Sequence, residues 1–160
     1  MGCGRDIRPG FVNADSKPLA GVDVVCDFSR FPWPFIDNVF DEVVAIHVIE
    51  HLPNTLRVME ELHRITAPGA RTAIEVPHYK HSSAYKDPTH VRFFTEESFD
   101  YFGKDEHSYY TTARFHVASV KRTTTTTSTS ESGGRFPASF PGSSGTSTTR
   151  SRSSHSRSSR

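Results

Sequence analysis

Apolar residues along this chain fall into short runs and one three-residue spacing, and the two patterns predict different elements. Phe11 and Val12 lead through Asn13 and Ala14 to Asp15, and Val22, Val24, Val25 and Cys26 lead to Asp27. Both stretches read as short strands that end in a carboxylate. Val43, Val44, Ala45 and Ile46 form the run expected of a buried parallel strand, and it ends in His47, Glu50 and His51. Leu56, Met59, Leu62 and Ile65 then predict a helix with one apolar face, leaving Arg57, Glu60, Glu61 and Arg64 on its solvated side. Pro68 and Gly69 are expected to stop this helix, and Thr72 to Val76 predict the next strand. Strand, helix and strand with short connections imply a parallel βαβ unit.

Around that unit the pattern is less regular. Phe31, Pro32, Trp33, Pro34 and Phe35 make a stiff apolar connection, because each proline fixes its own φ and biases its predecessor away from helix. Residues 78–91 have no periodicity but carry His78, His81, His90, Tyr79, Tyr85 and Asp87, the make-up of a functional loop. Thr95 predicts the cap of a short helix ending near Gly103, and residues 114–120 alternate as one more strand at a sheet edge.

Composition divides the chain. From Thr123 onward more than half of the positions are Ser or Thr, and such a segment cannot bury enough surface to offset its ordering entropy. The expected organisation is a globular body over residues 1–121 and a disordered Ser/Thr/Arg-rich tail over residues 122–160. A formal net charge of +1 gives the body no signature of nucleic-acid binding. The two cysteines, Cys3 and Cys26, are too few for a disulfide framework and point to a reducing, cytoplasmic setting. No apolar run approaches the roughly 20 residues that cross a bilayer, so no membrane partner is expected.

Gly2-Cys3-Gly4, Asp15, Asp27, the segment from Phe35 to Asp41, Ile49-Glu50-His51-Leu52, and Glu61-Leu62-His63-Arg64 with Pro68-Gly69 occur in that order. With them the body, over about residues 1–120, resembles a class I S-adenosylmethionine-dependent methyltransferase of the type 11 kind. The resemblance implies an α/β, Rossmann-like fold, a mostly parallel sheet with flanking helices. It implies S-adenosylmethionine as cofactor and methyl transfer to a small-molecule acceptor that the side chains do not identify. Gly2, Cys3 and Gly4 would lie against the methionine part of the cofactor, Asp15 would take the ribose hydroxyls, and Asp27 with Phe28 would contact the adenine. Two departures accompany it. The family's strand ahead of the first glycine and its last hairpin strand have no counterpart, so the expectation is a domain truncated at both ends with impaired activity.

His47, Glu50 and His51 also spell His-x-x-Glu-His, an inverted zinc-protease pattern. Pro53 and the β-rich run before His47 argue against the helix that pattern needs. No metal ligand is assigned in the main reading, where His47 lines the acceptor pocket and acts as general base, imidazole being the side chain that titrates near neutral pH. A divalent-metal alternative uses His47, Glu50 and His51, with His78, His81 or His90 as further ligands. It rests on a resemblance to the Glu-x-x-Glu-His pattern of some family members, and imidazole-rich ligation suits zinc or iron better than magnesium. A different class of function, a non-catalytic binding protein, rests on the Arg/Ser-rich end from Ser151 to Arg160, which resembles tracts that bind RNA or proteins. A shifted reading frame is the remaining account of the tail.

Overall fold

In the computed structural model, residues 1–107 and 109–123 are described, and the unit Met1–Arg122 contains the elements below. Residues 124–160, nearly all of the expected tail and with it the Arg/Ser-rich end, lie outside the described residues. Four strands and two helices follow in order: β1 (Ala14–Asp15), β2 (Val24–Val25), β3 (Phe40–Ile46), α1 (Thr55–Ile65), β4 (Thr66–Glu75) and α2 (Ser83–Lys86). Every strand pair is parallel, as the βαβ reading requires: β1 with β2, and β3 with β4 across α1. The architecture is mixed α/β with short parallel sheets, consistent with a Rossmann-like fold. The strands form two separate pairs rather than one continuous sheet.

The helix forms where the apolar spacing places it, and its ends have local causes. The Asn54 side chain caps it by accepting from the Arg57 N–H at 3.1 Å. At the other end, the carbonyls of Arg64 and Ile65 accept the N–H groups of Asn38 and Val39 at 2.8 and 2.9 Å. These are orphan carbonyls of a last turn, and the chain entering β3 satisfies them. The helix therefore ends at Ile65, before Pro68 and Gly69, which correspondingly do not act as its stop. They lie in the irregular part of β4, where Phe40 faces Thr66 but Glu42 already faces Arg71. Val58, Met59, Leu62 and Ile65 turn inward with Ala45 and Ile49 to make the core.

Three further expectations change. Glu61, assigned to the solvated face, is only 6% exposed. It accepts the Trp33 N–H at 2.8 Å and pairs with Arg64 through two bonds of 2.6 and 2.9 Å. Arg64 also reaches the carbonyls of Trp33 and Phe35 and the Asp37 carboxylate, so one guanidinium fastens the proline-bound connection onto α1. The helix expected after Thr95 is a set of turns and a 3₁₀ segment, Asp100–Phe102, followed by Gly103. Residues 114–120 form no strand. From His116 onward they are exposed and no neighbouring strand edge pairs with them; alternation alone does not make a strand.

Burial pushes the Glu61 carboxyl up, but the Arg64 hydrogen bonds and the Trp33 N–H outweigh it and hold the group below its ordinary value of 4.5. A depressed folded-state pKa stabilises above the unfolded value and is lost as pH falls through the folded one. Urea unfolding of the wild type should therefore weaken below about pH 4.5, and Glu61→Gln should flatten that acid limb. Arg64→Ala should cost about 2–3 kcal/mol at neutral pH. That is below the range for a fully buried pair, because Arg64 retains some contact with water. A pH-independent midpoint in the wild type would remove Glu61 from this role.

Candidate functional site

Within each pair the strand ends point the same way because the strands are parallel, and the acids and histidines follow the ends of β1, β2 and β3. Asp15 closes β1. Its Oδ2 accepts the Gly4 N–H at 2.8 Å and its Oδ1 accepts the Lys17 N–H at 2.9 Å. The N-terminal turn is thus bound to the strand tip by a carboxylate. Its other ties are the Met1 amine on the Val44 carbonyl at 2.7 Å and the Cys3 N–H on the Ala14 carbonyl at 3.2 Å. Met1 to Gly4 therefore bridges β3 and β1. Gly2 has φ +62, and a Cβ there would meet Val48 Cγ2 at 2.2 Å.

A cavity of about 370 Å³ opens at these tips, lined by Gly2, Asp15, Ser16, Asp27, Phe28, Ser29, His47, Val48, His51 and Leu52. Its size lies at the lower end of the range for small-ligand sites. The geometry brings together Gly2, Asp15, Asp27, Phe28 and His47 from the expected site. Cys3 instead lines a larger cavity of about 470 Å³ between β1 and β3, and Gly4 lines neither. That larger space contains none of Asp15, Asp27 or His47, so the expected carboxylates and imidazole belong to the smaller one. Ser16, Ser29 and Val48 join the lining without a prior signal in the sequence beyond their adjacency to strand tips, and His51 and Leu52 join it from the motif that follows β3.

The electrostatics of the lining are local. The Ser29 hydroxyl, 2.6 Å from Asp27, and the Ser29 N–H hold the exposed Asp27 carboxyl below the usual carboxylate range. Phe28 is 3% exposed and packs edge-to-face on Trp33, so little of its ring reaches the cavity. Burial, with Asp15 adding to it, pushes the Cys3 thiol up. Cys3 is accordingly a poor thiolate, as expected of a packing residue.

The polar end of β3 is shaped by one backbone reversal. The His47 N–H makes a last bond to the Glu75 carbonyl at 2.9 Å, and His47 then adopts φ +51, a region non-glycine residues seldom occupy. A single 3₁₀ turn, Ile49–His51, follows. The protease pattern is therefore not presented on an α-helix. Glu50 is 1% exposed, and its carbonyl accepts the N–H groups of Val91 and Arg92 at 2.9 and 3.1 Å. This grip brings His90 to Glu50 and His51. His47 Nδ1 is 3.3 Å from Glu50 Oε1, and its Nε2 is 3.5 Å from Glu75 Oε1. His78 is occupied by Glu96 at 3.0 Å and His81 by Ser83 at 2.6 Å, both away from this group.

Residues 3–74 match the methyltransferase domain family. A cycloartenol-C-24-methyltransferase 1 from Oryza sativa subsp. japonica is 34% identical over 85 residues, which is 49% of this chain and 24% of that protein. A cycloartenol-C-24-methyltransferase from Arabidopsis thaliana is 39% identical over 54 residues, or 32% of this chain and 16% of that protein. The chain thus matches a quarter or less of the length of these curated relatives. No solved structure matches. The matched residues make this part of the chain similar to a methyltransferase domain, and the mixed α/β fold with parallel strands is consistent with that likeness. No helix among the described residues is long and apolar enough to cross a membrane.

The N-terminal turn generates a comparison. Gly2→Ala meets both a left-handed backbone and Val48, whereas Gly4→Ala, at φ +53, meets nothing within 4 Å. Gly4→Ala should cost about 1–2 kcal/mol, the penalty of the backbone region alone, and Gly2→Ala measurably more. Thermal or urea unfolding of the two variants side by side checks the order, and equal losses would mean that the turn does not pack against Val48.

Proposed function

We propose that this chain binds S-adenosylmethionine in the 370 Å³ cavity and transfers its methyl group to a small-molecule acceptor, with His47 on the acceptor side. The observation that carries this reading is the convergence of Gly2, Asp15, Asp27, Phe28 and His47 on one cavity beyond the carboxyl ends of parallel strands. Open α/β sheets hold their ligands there. The residues fit the molecule. Each Asp15 oxygen accepts one N–H, and a carboxylate has about four acceptor sites, so two remain for ribose hydroxyls. The absent side chain at Gly2 lets the backbone and Val48 close the methionine end.

The cofactor supplies a methyl group on a positively charged sulfur. The chain supplies position, since an in-line transfer depends on holding two groups at near-attack distance. Asp15 and Asp27 fix one end of the cavity, and His47 faces it from the β3 tip. Glu50 holds His47 Nδ1, so Nε2 is the nitrogen that turns to the acceptor and takes its proton, displacing the exposed Glu75 carboxylate.

Calorimetry with S-adenosylmethionine on the 160-residue chain should give saturable binding, and Asp15→Ala should weaken it by about 1.5–3 kcal/mol through lost charge-assisted hydrogen bonds. Unchanged affinity would take Asp15 out of the site. In an assay of S-adenosylhomocysteine release against a panel of small acceptors, His47→Ala should slow turnover about 100-fold, at the low end for general-base loss, while cofactor affinity stays within about threefold. An unaltered rate would remove His47 from the reaction.

A further inference from the structure

Glu50 is the buried charge that neither the fold nor the methyl-transfer reading uses in full. Its Oε1 faces His47, but Oε2 is fully buried and has no hydrogen-bond partner among the described residues. An orphaned buried carboxylate oxygen is costly and calls for a counterpart. Its surroundings supply one. A carboxylate oxygen of Glu50 and ring nitrogens of His51 and His90 all lie within 4.8 Å of one another.

The outer hydrogen bonds fix which nitrogens are free. His90 Nδ1 lies 3.0 Å from the Ala84 carbonyl, which only accepts, so Nδ1 carries the proton. Nε2 of the same ring is 4.0 Å from Glu50 and 3.8 Å from Asp87, too far for a hydrogen bond to either. For His51, Nδ1 is 2.9 Å from the Thr89 hydroxyl, and that hydroxyl gives its own proton to Asp87 at 2.6 Å. Thr89 therefore accepts from His51 Nδ1–H, and His51 Nε2 keeps its lone pair. Two imidazoles whose Nδ1–H groups are anchored by outer partners keep free Nε2 lone pairs, and each offers a ring nitrogen to the cluster with the buried carboxylate, the arrangement by which outer partners orient metal ligands.

We propose that Glu50, His51 and His90 form a binding site for a divalent first-row transition cation of the zinc or ferrous class. Two imidazoles and one carboxylate suit such ions better than magnesium or calcium, which take oxygen sets. Tetrahedral bonds of about 2.1 Å set ligand atoms about 3.4 Å apart, so the three side chains converge on the ion from their present spacing. The backbone already holds them: Glu50 and His51 are adjacent on one 3₁₀ turn, and the Glu50 carbonyl grips the residues after His90. His51 also lines the 370 Å³ cavity, which provides an entry path.

The test uses the full 160-residue chain, stripped with a chelator and titrated with zinc by calorimetry and with cobalt(II) by visible absorption. One saturable equivalent and a d–d spectrum are expected. His90→Ala should weaken zinc binding by tenfold or more, and Thr89→Val, which keeps every ligand but removes the acceptor for His51, by about tenfold. His63→Ala, whose ring packs on Phe115, should leave it unchanged. Circular dichroism confirms that each variant is folded. Absence of a saturable equivalent, or wild-type affinity in folded His90→Ala, overturns the site. S-adenosylmethionine affinity measured on the same stripped sample tests the methyl-transfer reading separately, because stripping the metal leaves Gly2, Asp15 and Asp27 in place.

Discussion

The bidentate pairing of Arg64 with Glu61 is the interaction on which the placement of the site depends. Residues 31–37 contain two prolines and three aromatic rings and offer few backbone bonds of their own, so something else must fasten them. Arg64 does so with both of its terminal nitrogens, taking the carbonyls of Trp33 and Phe35 while it neutralises Glu61 and Asp37. Glu61 returns a bond to the Trp33 N–H. With Trp33 fixed, its ring packs against Phe28, and its indole N–H donates to the Phe28 carbonyl at 3.2 Å. Phe28 and Asp27 are thereby held at the cavity. A pair this deep in the molecule costs desolvation, and here several hydrogen bonds to each partner offset that cost.

A second constraint joins the loop after β4 to the end of β3. Residues 78–92 have little regular structure beyond the four residues of α2. They are nonetheless registered, because the Glu50 carbonyl accepts from both Val91 and Arg92, and Arg92 itself bonds the Pro53 carbonyl. The 3₁₀ turn, unlike a longer helix, leaves that carbonyl free to serve the loop. The same turn buries the Glu50 side chain. The loop that carries His90 is thus ordered by the residue whose carboxylate it faces.

The parts legible in the sequence were those with a repeating cause. The spacing of Leu56, Met59, Leu62 and Ile65 located α1, the β-branched run from Val43 located β3, and carboxylates after apolar runs located two of the cavity's walls. Boundaries failed where tertiary bonds decided them. Ile65 ends α1 because Asn38 and Val39 reach its last carbonyls, contacts 26 residues away in sequence that no local signal encodes. Glu61 was misread because periodicity assigns every charged residue to water, and only a partner such as the Trp33 N–H reverses that assignment. His90 belonged to a histidine-rich loop, but which of its histidines would meet Glu50 depended on a backbone bond. Alternation from Arg114 to Val120 lacked the other requirement of a strand, a neighbour to pair with.

Asp15 carries a tension that follows from this geometry. The resemblance makes it a ribose ligand, yet both of its oxygens already hold the backbone, one at Gly4 and one at Lys17. The two roles are compatible only because an ionised carboxylate accepts more than one bond per oxygen. They are also linked. The N–H groups that grip Asp15 orient its remaining lone pairs, so one side chain sets the glycine turn and would set the proposed sugar site. Asparagine at this position keeps one acceptor oxygen and replaces the other with a donor. It therefore preserves one of the two clamps, repels the N–H group at the other, and retains acceptors for a hydroxyl on one side only. The chemistry at the β1 tip consequently demands a charged, symmetric acceptor, a stricter requirement than ribose contact alone would impose.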